Sequence, residues 1–267
     1  MSGKQIVILA HGGAGSDNAH SDGTDRACQL GLGLMQTQTQ TPVLDVACRT
    51  VETLEDDPRF NAGTGSRKRS DGSVRMDAAC MDGGKRFGAV SSLQHIKNPI
   101  HVARTVADSE YRLLTGEDAH QYAIELGFEK VDMTRVESNA PGTDTVGAVV
   151  FDGTQFAAAL STGGTGGSRP GRVGDVPLIG CGLYAGEHGA VAATGHGESI
   201  VLNLTAYRTY EMLGRGFAPQ EALETALSWF EEAQDIGVLI VSKKGHAGGS
   251  NRSMAWSVLT GNALPEG

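Results

Sequence analysis

Glycine occupies 38 of the 267 positions in this chain, about twice its usual share of roughly 7%. The glycines follow no period, which excludes a collagen-like triple helix. They cluster instead, as HGGAG at 11–15, NAGTG at 61–65, MDGG at 81–84, STGGTGG at 161–167 and TGHG at 194–197. Glycine is used where backbone turns sharply or approaches a ligand closely. Five such clusters between apolar segments predict a site built largely from main chain.

The segments between them alternate in period. Gln5–Ala10 reads as a buried strand ending in a glycine turn; its apolar run is too short for a signal-peptide core or a membrane span. Residues 22–38 predict a moderately amphipathic helix. Thr41-Pro42 starts a second, with Val43, Val46, Ala47, Val51 and Leu54 at helical spacing, ending near Asp56-Asp57-Pro58. Ser73–Met81 and Arg86–Ser91 read as strands, Asn98-Pro99 opens a helix, and Asp118–Glu125 forms a short one. Residues 128–144, FEKVDMTRVESNAPGTD, lack a period and read as a linker. Thr145–Phe151 and Gln155–Ser161 follow as strands joined at Asp152-Gly153, a strong hairpin signal. A strand at Ala190–Thr194, helices at Ser199–Leu213 and Pro219–Ala233, and strands at Gly237–Ser242 and Ser253–Leu259 complete the chain. This order predicts a layered α+β fold with helices on both faces of antiparallel sheets.

Composition narrows the function. With 22 basic against 31 acidic side chains, the formal charge is −9. That balance argues against nucleic acid and anionic membrane surfaces as partners, because both are bound through Lys/Arg clusters. Cys28, Cys48, Cys80 and Cys181 are scattered without a CxxC or other metal-ligand spacing. They read as buried free thiols in a reducing, cytoplasmic setting.

Chemistry concentrates where the irregular stretch ends at a strand, Gly142-Thr143-Asp144-Thr145-Val146-Gly147-Ala148-Val149. A threonine at a strand start means little by itself. Yet DTVGAVVFD, followed by STGG, GRVGD and TGHGE, resembles the plant-type L-asparaginase/isoaspartyl peptidase family of N-terminal-nucleophile hydrolases. The resemblance extends upstream through HGGAG at 11–15, FNAGTG at 60–65, MDAACMDG at 76–83 and GAVSSLQHIKNP at 88–99. In that order these weak motifs form a specific signature.

The resemblance implies a four-layer αββα sandwich, cut by the chain itself between Asp144 and Thr145 into fragments 1–144 and 145–267. The freed Thr145 would carry both nucleophile and base. Its α-amine, with an ordinary pKa of roughly 7.7–8, lies near the pH where a general base works best. Thr162 corresponds to the second threonine that hydrogen-bonds the nucleophile, and Thr194 with the Gly195 N–H to the oxyanion hole. Arg172 and Asp175 suit the α-carboxylate and α-ammonium of an aspartyl group, with Gly197 adding a backbone contact. Asn61 corresponds to an asparagine near the scissile bond, and His11-Gly12-Gly13 to a mobile loop that influences self-cleavage. The main-chain carbonyls of Leu54, Glu55, Asp57, Phe60, Ala62 and Thr64 correspond to a structural sodium site; no cofactor is expected for catalysis. The implied activity is hydrolysis of L-asparagine and β-aspartyl dipeptides, by a homodimer of processed protomers.

The chain departs from the pattern in places. Asp144 stands where the family often has glycine, Gly166-Gly167-Ser168-Arg169 covers positions where it usually has a lysine, and Val176 replaces a common serine. Asp144-Thr145 is closer to the glycosylasparaginases, the alternative reading, which the cysteine usage and the lack of a secretory signal disfavour. An α/β-hydrolase would need a GxSxG elbow, and a phosphate-binding loop GxxxxGK[ST]; the sequence has neither.

Overall fold

The computed structural model describes residues 4–38, 40–133 and 145–262. Eleven strands among them form two sheets. Those of the first half are β1 (Gln5–His11), β2 (Met76–Asp82), β3 (Phe87–Leu93) and β4 (Leu113–Thr115). Then come β5 (Val146–Phe151), β6 (Phe156–Thr162), β7 (Leu183–Gly186), β8 (Gly189–Gly195), β9 (Ile236–Ser242), β10 (Gly245–Ser250) and β11 (Trp256–Asn262). The seven-stranded sheet runs β11-β1-β5-β6-β2-β3-β4 and the four-stranded sheet β10-β9-β8-β7. Neighbouring strands are antiparallel except β3 and β4. The helices are α1 (Ser21–Thr37), α2 (Val43–Glu55), α3 (Pro99–Ala107), α4 (Gly116–Glu125), α5 (Gly197–Asn203), α6 (Thr205–Gly214) and α7 (Pro219–Leu227).

The central strands are apolar throughout because both of their faces are covered. Side chains on a strand alternate between faces, so each strand feeds two clusters. Ile6, Ile8 and Ala10 of β1, with Val146, Ala148 and Val150 of β5, pack under α1–α4. The intervening Val7, Leu9 and Val149 pack instead against Leu183, Ala192 and Leu239 of the second sheet. Val191, Val238 and Ile240 on that sheet's other face meet Ala206, Leu213 and Leu223 of α6 and α7. Across the core, buried apolar side chains contribute about 25 cal/mol per Å² removed from water.

Several sequence expectations need correction. Residues 199–213 form two helices, because Leu204 takes the left-handed conformation (φ 49°, ψ 47°) and turns the chain. The first N–H groups of α6 are then met by the loop ahead of β7, with Ala206 donating to Cys181 O and Tyr207 to Gly180 O. The last helix stops at Leu227 rather than Ala233, and residues 228–235 turn back toward β9. Strands β4, β7 and β10 carry too little apolar period to be recognised. Of the predicted linker, residues 128–133 are described and packed: Val131 donates to His95 O, and Met133 is buried with Val74 and Met76. All four cysteines are free and buried, as expected. Among the described residues no helix is long and apolar enough to cross a membrane.

Candidate active site

One end of the seven-stranded sheet gathers the candidate residues. The β5–β6 register pairs Val146 with Ser161, so one further step sets Thr145 opposite Thr162. On its other side Thr162 pairs with Asp77, and on the other side of β5 Gly147 pairs with His11. Thr145 is buried, at 5% exposure. Thr162 Oγ1 accepts the Gly164 N–H at 3.0 Å. His11, expected in a mobile loop, closes β1 fully buried. Its ring lies beside the Thr145 main chain, and burial holds its pKa down to about 3, so the imidazole is neutral. Asp144 lies outside the described residues.

The second sheet approaches the same end. Ala14, just past β1, donates to Thr194 Oγ1 at the end of β8, at 3.2 Å. The Thr194 hydroxyl therefore keeps its own hydrogen for another acceptor. Gly195 (φ 138°) sits where a side chain would run into the Asp235 carbonyl and the Ile236 Cα. Only glycine lets β8 end in this turn.

The Gly171–Asp175 turn brings the expected charge pair to the start of α5. A Cβ on Gly197 would fall 2.8 Å from Arg172 Nη2 and 3.1 Å from Asp175 Oδ1, so Gly197 borders both groups. Asp175 is 5% exposed, and its Oδ2 has no hydrogen-bond partner among the described residues. Burial, aided by the negative charges of Asp77 and Glu198 and opposed by Arg172, pushes its pKa up to about 7. The Arg172 guanidinium is held from one edge, Nε to Glu198 Oε1 at 2.9 Å and Nη2 to Oε2 at 2.8 Å. Beside this turn lies a second buried carboxyl, Asp77, which accepts the Ser92 N–H at 2.8 Å and whose Oδ2 has no partner among the described residues. Its pKa, too, is raised by burial, to about 6. An acyl group bearing an ammonium and a carboxylate would satisfy these charges.

The upstream loop braces the site. Asn61 donates to Gly164 O at 2.8 Å and accepts the Arg67 N–H at 3.0 Å, while its carbonyl accepts the Gly163 N–H at 2.9 Å. Asn61 thus ties the 61–67 segment to the loop after Thr162. Arg69 donates to Ser168 Oγ at 2.7 Å, so Ser168 anchors a buried guanidinium where a lysine was expected. Val176, at the serine position, is buried between the sheets.

The 54–65 turn crowds main-chain oxygens together: a Cβ on Gly63 would meet Glu55 O at 2.5 Å, and one on Gly65 would meet Pro58 O at 2.7 Å. The carbonyls of Asp57, Phe60 and Ala62 each accept one backbone N–H, which leaves each a second lone pair, whereas Leu54 O accepts the N–H groups of both Asp56 and Asp57. An all-carbonyl donor set suits a hard cation. Among the described residues no group of three or more His, Cys, Asp or Glu side chains could hold a metal.

A family model described as asparaginase matches residues 4–141 and 133–266. This chain belongs to the asparaginase family. It is 35% identical over 293 residues to the isoaspartyl peptidase/L-asparaginase of Homo sapiens, covering 97% of this chain and 94% of the relative. To the Danio rerio protein of the same name it is 34% identical over 284 residues, covering 94% and 91%. To the plant-type L-asparaginase of Pyrococcus abyssi it is 32% identical over 283 residues, covering 91% and 92%. As a member of the asparaginase family the chain is an amidohydrolase, and the threonines, the Arg172–Asp175 turn and Asn61 all fall in the matched regions.

Sequence reasoning missed three residues beside the candidate site: Asp77, Arg69 and Glu198. Asp77 and Glu198 lie inside quoted motifs, MDAACMDG and TGHGE. Their partners, however, are distant in sequence. A buried arginine at 69 gives no local signal, since charged residues are normally exposed.

Proposed function

We propose that this chain is an autoprocessing amidohydrolase that hydrolyses L-asparagine and β-aspartyl dipeptides through an acyl-enzyme on Thr145. The carrying observation is the buried carboxylate of Asp175, with an unpartnered oxygen beside Arg172 at the sheet end that bears Thr145, Thr162 and Thr194. A buried charge is costly unless paired, and an α-ammonium supplies the missing partner. The names of the Homo sapiens and Pyrococcus abyssi relatives support the same substrates.

In this reading Thr145 Oγ1 first attacks the Asp144 carbonyl, and the resulting ester is hydrolysed to leave fragments 1–144 and 145–267. The freed α-amine of Thr145 then takes the hydroxyl proton as Oγ1 attacks the side-chain amide carbon of the substrate. That proton passes to the departing nitrogen, which leaves as ammonia or as the amine of a dipeptide. Water, deprotonated by the same amine, hydrolyses the ester and releases L-aspartate. Thr194 and the Gly195 N–H stabilise the oxyanion of each tetrahedral intermediate, a contribution of about 10²–10³ in rate per donor. Thr162 orients the nucleophile, and Asn61 holds the loops around the scissile bond.

The three apolar clusters, ordered helices–sheet–sheet–helices, support the four-layer αββα stack of the N-terminal-nucleophile hydrolases. Sodium held by the 54–64 carbonyls would brace the loop carrying Asn61 and supply no chemistry. Exposed Leu202 on α5, Leu204 at the turn between the helices and Tyr207 on α6 support a homodimer, and the four free thiols a cytoplasmic setting.

The test has two readouts. Denaturing electrophoresis of the purified protein should resolve fragments 1–144 and 145–267. Assays on L-asparagine, β-aspartyl-leucine and GlcNAc-asparagine should give turnover of the first two. Turnover of GlcNAc-asparagine alone would move the chain to the glycosylasparaginases.

A further inference from the structure

We infer that Glu198 is the positioning residue that fixes how Arg172 presents itself to substrate, coupling carboxylate recognition to the oxyanion turn. The inference rests on the proposed role of Arg172, and the test below separates the two.

The contact is side-on. Glu198 takes the Nε and Nη2 donors of Arg172 through both of its oxygens, at 2.9 and 2.8 Å. A guanidinium has five N–H donors in a planar fork. Among the described residues, engaging one edge leaves Nη1 and the end-on edge free for a second carboxylate. Glu198 therefore aligns the fork without occupying the face that substrate would use. Arg172 is the more buried partner, 20% exposed against 57% for Glu198. Its long side chain would otherwise sample many rotamers, an entropy cost that falls on substrate binding.

The place of Glu198 in the chain gives this contact its meaning. It is the second residue of α5, directly after Gly197, four residues past Thr194 and three past Gly195. Arg172 reaches it from a turn 26 residues earlier. One ion pair thus links the turn that reads the substrate carboxylate to the turn that carries the oxyanion donors. Charge points the same way. Asp175 and Asp77 are both within electrostatic range of Arg172. A third carboxylate beside a single arginine is unfavourable unless it is hydrogen-bonded, and Glu198 is.

The experiment is steady-state kinetics and L-aspartate binding for wild type, Glu198→Gln, Glu198→Asp, Arg172→Lys and the Glu198→Gln/Arg172→Lys double variant. Glu198 is largely exposed, so Glu198→Gln should fold and self-cleave as wild type does. We expect Glu198→Gln to raise KM for L-asparagine, and Kd for L-aspartate, by about tenfold or more, the worth of a charge-assisted contact. Its kcat should change by less than about threefold. Glu198→Asp, which keeps the charge but shortens the reach, should fall between. Lysine at 172 cannot be held by an edge, so on that background Glu198→Gln should add little. Unchanged KM and Kd, tighter binding, or effects that simply add in the double variant would each overturn the inference. Wild type that binds L-aspartate without turning over L-asparagine would instead sink the proposed reaction, leaving this inference to be scored on Kd. Wild type that does not bind L-aspartate would overturn both.

Discussion

Two arginines in this molecule each lie between carboxylates, and they are finished differently. Arg59 donates from Nη1 and Nη2 to both oxygens of Asp22, at 2.7 and 3.0 Å, and from Nε and Nη2 to Asp57, at 2.9 and 2.6 Å. Arg26 and the Arg59 N–H add two more contacts to Asp57, so both carboxylates are fully engaged. Burial raises the pKa of Asp57, but the bonds from Arg59 outweigh it and hold the carboxyl below its ordinary range. Arg172 is engaged on one edge only, and Asp175 beside it is buried with an orphan oxygen and a raised pKa. The first cluster is complete within the chain. The second, among the described residues, leaves an oxygen of Asp175 and one edge of Arg172 without a partner. The same residue types thus make a saturated brace in one place and an open cluster in another, and the unpaired atom is what separates them.

The strongest way to break this contrast is to remove the nucleophile the open cluster would serve. Thr145→Ala should give a single uncut band and lose at least about 10³-fold in turnover, as nucleophile deletions do; a fully active variant would end the assignment. Next comes the cluster itself. Arg172→Ala should lower kcat/KM for L-asparagine about a hundredfold, from loss of charge-assisted bonds and of orientation, while the self-cut persists. An unchanged kcat/KM would mean that Arg172 is another Arg59.

How much of this was readable in the chain follows from which forces are local. Strands β1, β5, β6 and β9 are continuous apolar runs and were recognised within a residue or two. β10, with the sequence GHAGGS, forms only because β9 offers it an edge. Leu204 turns left-handed in a segment whose pattern continues unbroken, since its conformation is set by the loop at Gly180–Cys181. The threonines, Arg172, Asp175 and Gly197 were found through motifs. Glu198 and Asp77 sat in the same motifs without a role, because a role requires a partner and their partners come from other turns. Arg172 could be named as a carboxylate reader; that a second carboxylate already holds its edge could not.

Acidity sharpens the comparison further. If Asp175 holds an α-ammonium it must be ionised, and its pKa in the empty site is pushed up to about 7. Affinity for L-aspartate should therefore be full above about 7 and weaken about tenfold per pH unit below it. Titration calorimetry from pH 5 to 8 would give a flat Kd if Asp175 does not contact the ligand. Binding isolates this group better than kcat/KM, which in the proposed mechanism would also follow the Thr145 amine. The two carboxyls act oppositely on the fold. Asp175 is harder to ionise folded than unfolded, so its contribution improves as pH falls from about 7 toward the ordinary carboxylate range. Asp57 is easier to ionise folded, so its contribution is present above the ordinary carboxylate pKa and is lost as pH falls through its depressed value.

Asp57 also supplies the smallest expected effect. Arg59→Ala leaves it Arg26 and one backbone N–H, and Arg59 is one-third exposed. The loss should be about 1 kcal/mol, or roughly 2–4 °C in Tm for a chain of this size, with kcat/KM for L-asparagine unchanged. Raising the salt concentration should shrink this Tm difference, since screening weakens exposed pairs first. A loss of activity comparable to that of Arg172→Ala would show that the saturated cluster, through the 54–65 turn it anchors, belongs to the catalytic machinery after all.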